Sequence, residues 1–228
     1  MRFQFPFRRK QVFSLIAAGC ILLVILTAIA MLFYPGGTAS DPATIGYSFF
    51  TNFFGDLGRT QARNGQPNPV ASPMFFIALT LAGAALIAFF VAFARFLARP
   101  RLERVLAGIG SLAGIVAGMC FIGVAFTPAN SNGTLHTQFV LAAFEAFTVA
   151  AILYFSVIVR EPKYPKRFAV VFGVFAVLLL LYLGLLFFGP TTRTPEGVLI
   201  QVTGQKIIVY ASIVGVLIQA LSARGRVE

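Results

Sequence analysis

Residues 168–188 read FAVVFGVFAVLLLLYLGLLFF, a run of 21 residues without a single charge. Wound as a helix rising 1.5 Å per residue, a segment of that length reaches about 31 Å, the thickness of a bilayer's hydrocarbon core. The rest of the chain has the same character. Of its 228 residues 58% are hydrophobic and 11% charged, with 26 Phe, no Trp and a mean hydropathy of +0.88. Soluble domains carry about a quarter of their residues as charges. The chain therefore reads as an all-α integral membrane protein.

Five further apolar runs match the first, so the predicted spans are 12–34, 73–95, 105–126, 137–159, 168–188 and 203–222. Six spans form one six-helix membrane domain and put both termini on the same side. Arg2, Arg8, Arg9 and Lys10 precede span one, and Arg95, Arg99, Arg101 and Arg104 join spans two and three. Arg160, Lys163, Lys166 and Arg167 join spans four and five, and Arg224 and Arg226 follow span six. Together these are 14 of the 18 Lys and Arg residues, which predicts cytoplasmic termini in a cell membrane. The net charge of +11 is accounted for by these short clusters between apolar runs, so it argues topology and excludes nucleic acid as a partner.

Span one is too long for the apolar part of a cleavable signal and reads as a retained anchor. Cys20 and Cys120 fall at depths differing by about 10 Å, too far apart for a disulfide, and read as small packing residues. In span three Gly110, Gly114 and Gly118 form a GxxxGxxxG ladder. Small residues at that spacing let helices approach closely in lipid, so this face is expected to be a packing seam and the route to any homo-oligomer. Thr194 followed by Pro195 has the form of an N-cap and first-turn proline, which starts the sixth helix ahead of its apolar run; Ser72 and Pro73 repeat the pattern before span two.

The longest loop, 35–72, contains TNFFGDLGRT at 51–60. Asp41 and Pro42 have the form of a helix start and Gly58 of a stop, and Asn52, Asp56 and Arg59 follow i, i+4, i+7 spacing. The expectation is a 16-residue amphipathic helix in the outer interface, capping the bundle, with Asp56 in its last turn beside Arg59.

Glu145 is the only acid deep within a span. A charge there costs at least about 2.5 kcal/mol on insertion scales, so it is expected to face the bundle, with Gln138 and Thr148 on its face. Lys206 lies within about 3 Å of its level and is the expected ion-pair partner, with Tyr210 one turn away. His136, the only histidine, sits at the mouth of span four, half a turn out of phase with Glu145, and is placed to meet Asp56 instead. One His and two buried Cys make no zinc-binding spacing, and no nucleotide or hydrolase motif occurs, so neither metal nor cofactor is expected.

These residues resemble the bacterial and archaeal six-span membrane family called domain of unknown function 998, itself similar to Frag and DRAM type proteins. The likeness lies in Asn52 with Gly55, Asp56, Leu57 and Gly58; in Gly123, Pro128 and His136; and in Gly204, Gln205 and Lys206. Gly55 stands where the family often has Ser, which removes a hydroxyl nucleophile, and Lys206 where it often has Arg. The resemblance implies a six-helix fold and no activity. The leading functional expectation is a protein that binds or moves a lipid or amphiphilic small molecule in an outer-leaflet pocket lined by Asn52, Asp56, Arg59, His136, Gln138, Glu145, Gln205, Lys206 and Tyr210. The alternatives are an intramembrane enzyme acting on lipid headgroups and a structural assembly subunit; no residue is assigned as catalytic.

Overall fold

A computed structural model describes residues 9–96, 101–162 and 164–226. Arg2, Arg8, Arg99 and Lys163 of the basic clusters lie outside these. Among the described residues the chain forms seven helices and no extended strand: α1 Arg9–Phe33, α2 Phe54–Leu57, α3 Ala71–Phe96, α4 Arg101–Phe126, α5 Gly133–Arg160, α6 Arg167–Phe188 and α7 Pro195–Arg224. Six of them are long and apolar enough to cross a bilayer. With no water in hydrocarbon to satisfy backbone groups, helices that bond internally are the solution open to these runs. The protein is a multi-pass helical membrane protein.

Each long helix packs on its neighbours in sequence and α7 returns to α1, so the order α1–α3–α4–α5–α6–α7 closes into a ring. Large apolar side chains face outward, among them Leu15, Ile109, Leu181 and Phe188. Inside, small residues set the helix spacing. Gly83 of α3 faces Gly118 of α4, Gly114 lies against the Phe90 ring, and Gly110 against Tyr154. The glycine ladder thus joins α4 to α3 and α5 within one chain. All three glycines are buried within the chain, as the expected packing seam requires.

The half of the bundle near the basic residues is filled by aromatic rings. Phe93, Tyr154 and Phe172 pack together, and Tyr154 hydrogen-bonds Ser111 at 2.5 Å while Ser111 also donates to the Phe90 carbonyl. At the basic end, buried Gln219 donates to the Phe168 carbonyl at 2.7 Å and accepts from Tyr164. Lys166 donates to carbonyls of Ile158, Val159 and Glu161, a cation set on the unpaired end of α5. The two cysteines are free.

Two predicted helix starts differ from the structure. Thr194 does cap α7, its Oγ1 accepting from the Gly197 amide at 3.1 Å, and the 30-residue helix begins at Pro195. Ser72, by contrast, lies inside α3, which starts at Ala71, and its hydroxyl donates to the Gly58 carbonyl. Asp41 starts a turn and no helix, accepting from the Ala43 amide. The 16-residue loop helix reduces to the single turn α2. The remainder of loop 34–70 is held by tight turns with positive φ at Gly36, Gly37, Gly46 and Gly65, a backbone region that residues with a Cβ seldom enter.

Candidate functional site

The loop folds over one end of the ring as a cap, and its centre is Asn52. The Asn52 amide donates to the Gly37 carbonyl at 2.7 Å and to Asp56 Oδ2 at 3.1 Å, while its Oδ1 accepts from the Ser48 amide. Asp56, 2% exposed, sits at the third position of α2, and its carboxylate reaches back to the Phe53 amide at 3.0 Å. That places the charge at a helix start, where unpaired amides favour it. The unfavourable last-turn position expected for Asp56 is thus overturned by the shortness of α2.

The cation beside Asp56 is Arg63, whose Nε lies 2.7 Å from Oδ1. Arg59, the expected partner, donates to the Gln61 carbonyl instead. Its pKa is lowered by burial first and then by the nearby Arg63 cation. Reasoning from helix periodicity missed Arg63 because it stands beyond Gly58, where the helix has ended and the chain has turned back.

Lys206 on α7 rises into the cap. Its Nζ donates to the Asn52 carbonyl at 2.6 Å and to the Tyr47 hydroxyl at 2.7 Å, and it stands 4.6 Å from the centroid of the Phe54 ring, with Tyr47 and Phe49 at 5.1 and 5.3 Å. The charge is therefore held by two oxygen atoms and three aromatic faces. Burial, followed by the Asp56 carboxylate, pushes the Tyr47 phenol above its ordinary pKa, so Tyr47 keeps its proton and donates in turn to backbone carbonyls of Asn52 and Phe53. Tyr210 contributes its ring, stacking on Phe49 and meeting Phe54 edge-on. Next along α7, Gln205 accepts from the Phe54 amide at 2.7 Å. Two consecutive α7 side chains thus hold α2 in place.

The Glu145–Lys206 ion pair does not form. α5 packs on α4 and α6 while α7 packs on α6 and α1, so α6 stands between the two helices. The inward face of α5 is Ala143, Phe144, Phe147, Ala150, Ala151 and Tyr154, and Glu145 points outward with Gln138 also exposed. Thr148, about 60° round the helix from Glu145, is buried and bonds its own helix at the Phe144 carbonyl.

Beneath α2, at the centre of the ring, lies a cavity of about 130 Å³. Phe54 and Gly55 line it on the cap side; Leu79, Val140, Phe144 and Val209 are among its walls, and it reaches Phe147 and Val216. From His136 to Phe147 along α5 is about 16 Å. Past Phe147 the aromatic filling begins with Phe90. Of the expected pocket residues, His136 and Gln205 line this cavity; Asn52, Asp56, Arg59, Gln138, Glu145, Lys206 and Tyr210 do not. His136 does not meet Asp56. Its Nδ1 lies 2.7 Å from the Thr127 carbonyl, and the α2 residue over its ring is Gly55, where an added Cβ would stand 3.1 Å from Nε2. Among the described residues no group of three His, Cys, Asp or Glu is placed to hold a metal ion.

Compared with protein-family models, with curated proteins and with solved structures, the chain matches none, so its site is read from its own residues.

Proposed function

We propose that this protein binds a lipid or amphiphilic small molecule by seating one hydrocarbon chain in the central cavity under α2. The observation that carries the reading is the cavity itself: elongated, almost wholly apolar, roofed by Phe54 and Gly55 and bounded at its far end by packed aromatics. Water gains little from such walls, whereas an engineered apolar cavity of about 150 Å³ stays dry and takes benzene. The wall of the central cavity runs about 16 Å along α5, which favours a chain over a compact ring. The basic rim supports cytoplasmic termini in a cell membrane, an orientation in which the cap would face the outer leaflet.

The test is crosslinking with a decyl chain carrying a terminal diazirine, applied to the protein in lipid nanodiscs. Photolysis is expected to label cavity residues such as Val140 or Val209, and Ala82→Phe, which fills the cavity wall, is expected to suppress that labelling. Labelling confined to outward-facing residues such as Leu181, unaffected by Ala82→Phe, would overturn the reading.

A further inference from the structure

Resting on the cavity as a chain-binding site, we infer that the head group it holds is an uncharged hydroxyl, which donates its proton to Nε2 of His136. The tautomer follows from the partner. A carbonyl oxygen only accepts, so His136 Nδ1, 2.7 Å from the Thr127 carbonyl, carries the ring proton, and Nε2 of the neutral imidazole is left as an acceptor. Nε2 has no donor among the described residues, and Gly55 leaves the space in front of it without a side chain.

Of the other polar groups on the wall, the Gln205 carbonyl oxygen accepts from the Phe54 amide and the Ser212 hydroxyl donates to the Ile208 carbonyl. Among the described residues no charged side chain lines the cavity. Lys206 is turned into the cap against Tyr47 and Asn52, and Arg63 is held by Asp56. A carboxylate or phosphate head would enter without a cation, and an ammonium head without a carboxylate, each at the cost of burying an unpaired charge. A hydroxyl needs only the one acceptor that is present. His136 lies at the roof and Phe147 about 16 Å deeper, so the hydroxyl sits under Gly55 and the chain extends toward the middle of the bundle. The ligand class is a long-chain alcohol, whether straight or isoprenoid.

Competition against the diazirine decyl probe in nanodiscs tests this. Decan-1-ol, decyl methyl ether and decanoate share a chain length and differ in the head. Decan-1-ol is expected to displace the probe at about fivefold to tenfold lower concentration than the ether, the worth of one neutral hydrogen bond, with decanoate weaker than decan-1-ol. His136→Phe is expected to abolish the preference for the alcohol while probe labelling persists, and labelling itself reports that the variant is folded. Gly55→Ser, which brings a protein hydroxyl to Nε2, is expected to abolish the preference as well. Equal displacement by alcohol and ether in the unaltered protein, or a preference that survives His136→Phe, overturns the head-group assignment alone. Absence of cavity labelling by the probe overturns the chain-binding reading and this one with it.

Discussion

The ammonium of Lys206 donates to the backbone carbonyl of Asn52 across 2.6 Å, joining residues 154 positions apart in the chain. A cation is thus carried on a membrane helix into the underside of a loop, where Tyr47, Phe49 and Phe54 close round it. Lys206→Ala removes both donors and leaves the ring faces without a charge. The expected loss is about 1–3 kcal/mol, accompanied by faster amide exchange at Asn52–Leu57. Stability of the solubilised protein and hydrogen exchange report the two effects; unchanged exchange in the cap would mean Lys206 does not hold it.

Coupling should follow the observed neighbours. Combining Lys206→Met with Tyr47→Phe is expected to depart from additivity by about 0.5–3 kcal/mol, while Lys206→Met with Glu145→Gln stays additive within about 0.5 kcal/mol. A double-mutant cycle with strong Lys206–Glu145 coupling would contradict the ring order in which α6 separates α5 from α7.

Arg63 and Arg59 are expected to differ sharply although both flank Asp56 in sequence. Arg63→Ala leaves a carboxylate that is 2% exposed without its cation, and breaking a buried pair costs about 3–5 kcal/mol. The partly exposed Arg63 places the expected loss near the lower end. Arg59→Ala removes one bond to the Gln61 carbonyl and should cost about 1 kcal/mol or less. Equal losses in denaturation experiments would make Arg59 a true partner of Asp56.

The glycine ladder makes a third comparison. A methyl at Gly114 meets the Phe90 ring, whereas one at Gly108 meets nothing within 4 Å. Gly114→Ala is expected to destabilise by about 1–3 kcal/mol through overpacking, and Gly108→Ala to be neutral or slightly stabilising. Neither should alter oligomeric state, since the ladder lies inside one chain. A change in sedimentation on Gly114→Ala alone would point to an interface.

Gly55→Ser provides a test at the roof of the cavity. The added Cβ stands 3.1 Å from His136 Nε2, so a small adjustment brings the hydroxyl to the imidazole as a donor. Stability is expected to change by less than about 1 kcal/mol, whereas Gly55→Leu, with more bulk than the roof admits, should cost about 1–3 kcal/mol. Similar losses for both would mean that no hydrogen bond forms.

The long helices were legible because their signal is collective. Each apolar run of 20 or more residues fails to find a soluble alternative, and the Thr194–Pro195 cap was recoverable from the two residues alone. The loop was not legible in the same way. Its Asn52, Asp56 and Arg59 have helical spacing, yet the glycines at 36, 37, 46 and 65 allow turns that give those side chains other partners. Asn52 and Asp56 do share a cluster, but Tyr47 lies before the helix turn and Arg63, although seven residues on from Asp56, lies past the helix end at Gly58. A tyrosine among loop phenylalanines and a second arginine downstream of the acid were the signals available for both.

Depth along a helix was countable from the sequence, and the count set Glu145 and Lys206 within about 3 Å of one another. Depth does not say which helices adjoin. That depended on how the small residues, Gly83 against Gly118 and Gly110 against Tyr154, brought α3, α4 and α5 together, leaving α6 between α5 and α7. Local hydrophobicity and helix geometry were enough to determine by themselves that this chain crosses a membrane six times. Only the tertiary structure decided that Glu145 faces outward, that Lys206 serves the cap, and that His136 keeps an unshared acceptor over an apolar cavity, because each of those depends on contacts between segments whose separation no sequence period records.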